Sequence, residues 1–441
     1  MRAFQGKLTI VLGAILALSA GATCQAGKNG GEGGAGGDED GAGATGPGTT
    51  VAVTTGQGGG SAATFSNSTA TGMQPGCEAL PDEDFDGDGF SINDGDCNDC
   101  DANVNPNAIE VIVDGEGGGG GMMEPADEDC DGEVDNIPEP CDAAIAFDTM
   151  DALEGARSIE LCHEATPQAD WGVVSAQWVR ANGTPLTGAN VQYGVLADFG
   201  SGVPPRAGES LLALSSGAAR LPGQAGNCGN FSCSHGAGTP PPGFPQAVPN
   251  CALSDIINDD VGLEVTLKAP SNATGYKFDF KFYSFEYAEY VCTLFNDQFI
   301  ALVNPPPMGS SNGNISFDSM NNPVSVNIAF FDVCAHCNDF ALYCDDFTSI
   351  CPPTPASCCP AGTAELMGNG FLDAFGTTSE DGGGTSWLQT TAPIGPGETF
   401  SVRYAIWDVQ DMAWDSTAVI DNFQWIANGG TVNVGTTPVP Q

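Results

Sequence analysis

Positive charge is nearly missing from this chain. Eleven lysines and arginines face 56 aspartates and glutamates, a net charge of −45, and no basic residue lies between Lys28 and Arg157. Such a surface cannot neutralise phosphates, which excludes nucleic acid and argues against an anionic membrane surface as partner. Histidine is scarce too: only His163, His235 and His336 occur. None stands near a serine or cysteine nucleophile motif, and no glycine-rich phosphate loop follows a strand, so no residue is assigned a catalytic role. Long apolar runs are absent beyond the N-terminus, where Leu8–Leu18 is too short to span a bilayer.

That N-terminus has the form of an export signal over residues 1–23. Arg2 and Lys7 make a charged start, Leu8–Leu18 an apolar core, and Ala20-Gly21-Ala22 a small-residue cleavage site. Cys24 follows at once, so two routes are open: ordinary cleavage, or lipidation of Cys24, although Gly21 and Thr23 fit a lipobox poorly. A lipid at Cys24 is the one expected membrane contact. The chain has 17 cysteines, and removing or lipidating Cys24 leaves an even number, as a set of disulfides in an exported protein requires. Spacing does not reveal their connectivity.

Residues 24–76 are rich in Gly, Ser, Thr and Ala and cannot bury enough surface to offset backbone entropy, which predicts a disordered tether. Residues 77–142 form an acidic module containing 22 of the 56 acidic residues, with too few apolar side chains for a core of its own. From residue 143 to 427 the pattern is that of a large β domain, and 428–441 is a polar tail. The segment Phe147–Cys162 is expected to be helical, with Met150, Leu153, Ala156 and Leu161 on one face and Thr149 or Asp148 as cap. Thereafter apolar residues alternate: Val261 to Leu267, Tyr276 to Phe282, Val324 to Phe330 and Phe400 to Ile406. Weaker runs lie near Val173–Val179, Phe299–Val303 and Val419–Trp425. The expected fold is mostly β: a sandwich with a short N-terminal helix, preceded by an irregular Asp/Cys-rich module.

The module carries the clearest chemistry. In Asp84-x-Asp86-x-Asp88-Gly89, alternate carboxylates converge and the glycine permits the sharp turn of a calcium loop. The twelfth position is Gly95 where an EF-hand needs glutamate, so it is not an EF-hand. Asp94, Asp96, Asn98, Asp99 and Asp101 continue the ladder, and Glu110, Asp129, Asp131 and Asp135 follow. Hard oxygen ligands of this kind suit Ca²⁺, with Mg²⁺ and Mn²⁺ behind it. The alternative is a solvated acidic linker. The succession of Asp ladder, Cys97, Asn105-Pro106-Asn107-Ala108-Ile109-Glu110 and Asp129-Cys130-Asp131 resembles a MopE-like metal-binding motif of extracellular bacterial proteins, over about residues 82–135. It is also similar in style to thrombospondin type 3 calcium repeats. The resemblance implies metal binding, yet its copper label lacks support here, because the module contains no histidine. A glycine-rich insert between Val111 and Pro125 also separates Glu110 from Asp129, leaving open whether both halves hold one ion.

In the large domain, Phe285-Glu286-Tyr287-Ala288-Glu289-Tyr290, Phe295-Asn296-Asp297 and the late Asp415-Ser416 to Asp421-Asn422-Phe423 resemble the choice-of-anchor L family, over about residues 143–427. That resemblance implies an exported domain without an established biochemical activity. Glu286, Glu289, Asn296, Asp297, Asp408, Asp411, Asp415 and Asp421 are candidate oxygen ligands for a second Ca²⁺ at a sandwich edge, or simply turn-capping residues. Cys334-Ala335-His336-Cys337, with Cys344, Cys351, Cys358 and Cys359, could hold zinc, but in an exported chain disulfides are favoured. Three functions follow. The first is a non-enzymatic surface protein with a Ca²⁺-stabilised acidic spacer and a β-sandwich that recognises an extracellular ligand or surface component. The others are a secreted hydrolase of carbohydrate type working with paired carboxylates, and an extracellular copper scavenger.

Overall fold

The computed structural model describes residues 79–112, 125–166, 171–188, 190–228, 232–287, 290–318, 321–326, 333–334, 359–372, 382–427 and 430–440. The chain divides into two units, Met1–Thr69 and Ala70–Gln441. The first lies outside the described residues, and with it the export signal, Cys24 and nearly all of the expected tether. Glu289, His336, Cys337, Cys344, Cys351 and Cys358 also lie outside them.

The alternating segments become strands because each offers one apolar face at a spacing of two. In chain order they are β1 (Gly172–Val179), β2 (Tyr193–Leu196), β3 (Leu211–Ser215), β4 (Ile257–Lys268), β5 (Gly275–Ser284), β6 (Gln298–Asn304) and β7 (Val324–Ser325), then β8 (Val333–Cys334), β9 (Gly383–Thr385), β10 (Leu388–Pro393), β11 (Thr399–Val409), β12 (Ser416–Ile426) and β13 (Gly435–Pro438). They pair antiparallel into two sheets. One runs β1-β4-β11-β6-β7; the other runs β13-β10-β5-β12-β3-β2, with β9 joining β5 to β8. The fold is a β-sandwich with very little helix, as expected.

The core lies between the sheets. Val261, Leu263, Val265 and Leu267 of β4 and Phe400, Val402, Tyr404 and Ile406 of β11 meet Tyr276, Phe278, Phe280 and Phe282 of β5. Phe280 packs on Phe299 and Phe278 on Tyr404, each with ring centroids 5.0 Å apart. Truncating one such ring to alanine costs about 3–5 kcal/mol.

The strands are more deeply buried than alternation suggests. Loops cover the outer faces: Phe199, Leu366, Phe371 and Trp387 lie over β3, β5 and β12, while Phe244 covers Trp407 of β11. Hence even Lys281, in the polar register of β5, is fully buried, in an ion pair with Glu365 to which Tyr283 also donates.

The N-terminal helix is shorter than its pattern. Only Ala152–Arg157 is helical, capped by Asp151, whose side chain accepts from the Leu153 amide at 3.0 Å. Thr149 instead accepts from the Asp151 amide, and Met150 is exposed. The chain turns after Ser158, with Glu160 at φ 67, and the Cys141–Cys162 disulfide then holds Leu161 against the core. A run this short needs tertiary contacts to be helical at all.

The acidic module docks on the sandwich. The β4–β5 turn places Asn272 so that its side-chain oxygen accepts from the Ile109 amide at 3.0 Å, while its nitrogen donates to the Ile109 carbonyl at 2.8 Å. Ser271 donates through its amide to Asn107 and through its hydroxyl to Asn105. Val104, Asn105 and Ala108 are buried at this seam.

Candidate metal centre

The first half of the module is an aspartate ladder shaped by its own backbone. Asp84 accepts from the amides of Gly87 and Gly89, Asp86 from Asp88, Asp88 from Phe90, and Asp96 from Asn98. In Asp86, Asp88 and Asp96 one oxygen bonds the amide two residues on, so the other is free to turn inward. Those three Oδ2 atoms are buried and accept no hydrogen bond. Asp86, Asp88 and Asp96 each bring a carboxylate oxygen within 4.8 Å of the others, and Asp84, Asp86 and Asp99 form a second such trio. Gly87 and Gly89, at φ 84 and 101, supply the left-handed turns the ladder needs.

The second half repeats this arrangement. Asp127-x-Asp129-x-Asp131-Gly132 has the same spacing as Asp84-x-Asp86-x-Asp88-Gly89. Its hydrogen bonds match as well: Gly132 donates to Asp127, Asp131 to Asp129 and Glu133 to Asp131. Glu110 crosses over to accept from the amides of Glu128, Asp129 and Asp135, and Glu128 accepts from Val111. Two trios result, Glu110–Glu128–Asp135 and Glu110–Asp127–Asp129. The Cys97–Cys130 disulfide joins the two halves.

Electrostatics at both centres favour a cation. Burial, then the neighbouring Asp88, Asp86 and Asp99, pushes the Asp96 carboxyl up to about 6. Burial, opposed by backbone amides and reinforced by Glu128 and Asp129, pushes Glu110 up to about 7. Inward-facing carboxylates of this kind hold a hard divalent cation well, and the donor set suits Ca²⁺. It does not suit copper, since the module contains no histidine and its described cysteines, Cys97, Cys100, Cys130 and Cys141, are disulfide-bonded.

Of the residues expected to ligate, Asp84, Asp86, Asp88, Asp96 and Asp99 come together in the first half, and Glu110, Asp129 and Asp135 in the second. Asp94 is turned away to cap its own short turn, accepting from the Ser91 amide and hydroxyl. Asp101 accepts from Asn103, Asp131 accepts from Glu133 and Asn136, and the Asn98 amide donates to Asp96. Asp127 and Glu128 were missed. The repeated D-x-D-x-D-G spacing was a readable signal for Asp127, whereas nothing in the sequence marks Glu128 until Val111 is beside it.

In the sandwich, Glu286, Asp297, Asp408 and Asp415 cluster at one end, with Asp411 on the adjoining turn and Asn296 buried next to Asp297. Asp421 is elsewhere. A register shift in β12 carries it to Glu160, and it accepts from the Arg206 amide. Cys334 and Cys359 are bonded to each other, a disulfide in place of zinc ligation by that pair. Disulfides Cys228–Cys233 and Cys251–Cys292 complete the pairs among the described residues with both partners assigned. Two clefts, one lined by Arg220, Phe371 and Asp415, the other by Asp88, Asn103, Trp171 and Lys268, each offer a single carboxylate, whereas carboxylate-pair hydrolysis needs two.

Fold and site define an antiparallel two-sheet domain bearing an acidic, disulfide-linked module. Residues 255–423 match the family model of the Choice-of-anchor L domain, from β4 into β12. The match is narrower than the expected 143–427, leaving out β1–β3. That family is surface-associated and non-catalytic, and the match over this part of the chain suggests an exported cell-surface protein. No curated protein and no solved structure matches the chain. Among the described residues no helix is long and apolar enough to cross a membrane.

Proposed function

We propose that this chain is a non-enzymatic surface protein whose acidic module, residues 77–142, binds Ca²⁺ at two centres and thereby becomes a rigid ledge beside the β-sandwich of residues 143–427, the part that recognises an extracellular partner. The observation carrying this reading is the convergence of the buried, unbonded Oδ2 atoms of Asp86, Asp88 and Asp96. Burial and the neighbouring carboxylates raise the carboxyls of Asp86, Asp88 and Asp96 in the absence of a cation, and a bound cation would offset that repulsion. Asp84, Asp86, Asp88, Asp96 and Asp99 would hold one ion; Glu110, Asp127, Glu128, Asp129 and Asp135 would hold the other. The ion supplies positive charge and fixed geometry, and no reaction is assigned to it.

Hydrogen bonding of the module to Asn272 and Ser271 favours a docked ledge over a free spacer. Anchorage to the membrane would fall to a lipid on Cys24, with the tether of residues 24–76 as the reach. Calcium analysis and limited proteolysis of the full chain test the reading. In millimolar Ca²⁺ the segment 79–142 should resist cleavage and the protein retain bound calcium. In chelator the same segment should be cut, and Asp86→Asn with Asp96→Asn should behave in Ca²⁺ as the wild type does in chelator. Equal cleavage with and without Ca²⁺, or tight copper binding that calcium cannot displace, refutes it.

A further inference from the structure

Lys281 carries an amine into the dry interior of the sandwich. It stands on β5, an inner strand of its sheet, and is 0 % exposed; Glu365, 1 % exposed, meets it from the covering loops. Glu365 belongs to a short 3-10 turn, Gly362–Leu366, in the connection from β8 to β9. That turn is fixed on its far side, where the Asn369 side chain donates to the Glu365 carbonyl at 3.0 Å and the Ser201 amide to the Met367 carbonyl at 2.9 Å. Lys281 Nζ donates to Glu365 Oε1, and the Tyr283 hydroxyl donates to the same oxygen at 3.1 Å. Aromatic rings wall the space. Nζ lies 5.2 Å from the centre of the Trp387 ring, and Tyr283 packs on Phe199 and Phe371 with centroids 5.0 and 5.4 Å apart. An ion pair gains little in such a place, because desolvation of both ions offsets their attraction. An amine, a carboxyl and a proton donor in contact are also the parts of a condensation.

We propose that Lys281 and Glu365 condense in the folded chain, without another enzyme, into an amide bond between Nζ and Cδ, with Tyr283 as the proton relay. The ammonium first passes one proton to Oε1, leaving an amine and a carboxylic acid. The Nζ lone pair attacks Cδ, and the Cδ–Oε2 π pair moves onto Oε2. Nζ then releases a second proton to the Tyr283 oxygen as that hydroxyl gives its own to Oε1. The Cδ–Oε1 bond breaks, Oε1 leaves as water, and the carbonyl to Oε2 re-forms. The three protons of the ammonium end as one on the amide and two on water, and nothing is oxidised or reduced. Burial pushes the Lys281 ammonium down, against the pull of Glu365, which favours the neutral amine that the attack needs. Burial also holds the Tyr283 hydroxyl well above its ordinary value, so it remains a donor. Water expelled from a space walled by rings is not replaced, which protects the amide from hydrolysis. The bond would pin the covering segment to β5. The Cys334–Cys359 disulfide anchors the same connection nearer β8, but unlike it the amide survives reductant. Nothing in this inference depends on calcium binding by the module.

Mass spectrometry of the full chain, reduced and denatured, tests the bond. After allowing for the substitution itself, the wild type should be lighter by one water than Lys281→Met, a variant that supplies the unlinked reference mass whether or not it folds. Chymotryptic digestion of the wild type should give a branched peptide joining Lys281 to Glu365, and Lys281 should be missing from the amines labelled in the denatured chain. Tyr283→Phe keeps the ring and removes the relay. It should slow bond formation by about 100-fold, read as mass against time after synthesis. An unshifted wild-type mass, with Lys281 labelled and no branched peptide, overturns the proposal and leaves a buried ion pair. Equal rates in the wild type and Tyr283→Phe overturn the part given to Tyr283.

Discussion

Asn272 is the residue through which the sandwich grips the acidic module, and Asn272→Ala tests whether that grip is structural. Asn272 is 2 % exposed and holds both the amide and the carbonyl of Ile109, at 3.0 and 2.8 Å. Each hydrogen bond of this kind contributes about 0.5–1.5 kcal/mol net. Ile109 is only half-buried, so water replaces part of what is lost and the upper figure is a ceiling. The expected cost of opening this seam is therefore about 1–3 kcal/mol, equivalent to roughly 5- to 150-fold faster amide exchange at Ile109 and its neighbours. Hydrogen exchange followed by mass spectrometry reads this peptide by peptide in the full chain. Protection should fall in residues 103–111, while the β5 and β11 peptides, whose stability comes from the inter-sheet core, should keep theirs. Unchanged exchange at 103–111 would mean that the module is held by something else and that the docked ledge is wrong.

Other outcomes follow from single features. Glu160 faces Asp421 and Asp142; burial and then the Asp421 charge hold its carboxyl up at about 9, and burial holds Asp421 at about 7. Both folded values exceed the unfolded ones, near 4. Their protonated forms therefore favour the native state, and stability should be highest below the unfolded values and fall as pH rises toward 9. Glu160→Gln should flatten that part of the denaturation-versus-pH curve, and an unaltered slope would refute the assignment. Replacing both Cys97 and Cys130 by serine opens a link across 33 residues. The chain-entropy model puts the loss at about 3–4 kcal/mol, which in a folded chain should appear as proteolysis confined to the module even in Ca²⁺. Phe280→Ala should lower stability by about 3–5 kcal/mol in chemical denaturation, and a cost under 1 kcal/mol would show that the inter-sheet core is not packed as described.

The sandwich was legible because its strands carry a local code. Val261 to Leu267 and Tyr276 to Phe282 alternate strictly, and alternation at a period of two has one good solution, a strand with an apolar face. The segment from Phe147 to Cys162 misled because its 3.6-residue spacing extends over residues that tertiary contacts claim for other purposes: Thr149 for a turn, Leu161 for the core, Cys162 for a disulfide. The D-x-D-x-D-G ladder was legible at Asp84–Gly89. Its second copy at Asp127–Gly132 has identical spacing, but the glycine-rich insert before it leaves open, from sequence alone, whether Glu110 reaches it. Glu128 and the rejection of Asp94 could not be read at all, because both depend on which backbone amide lies within reach.

By itself, the sequence determined the mostly β fold class and the concentration of oxygen donors in the acidic module. Those properties depend on composition and on spacing within a few residues. The tertiary structure alone decided that the module is docked on Asn272, that its two halves gather separate sets of carboxylates and that Asp421 belongs with Glu160. Only the fold could assemble Glu286, Asp297, Asp408 and Asp415, which come from four separate stretches of chain. Their meeting is set by how the two sheets stack and where β11 and β12 turn, and burial there pushes the Glu286 and Asp408 carboxyls well above the usual range.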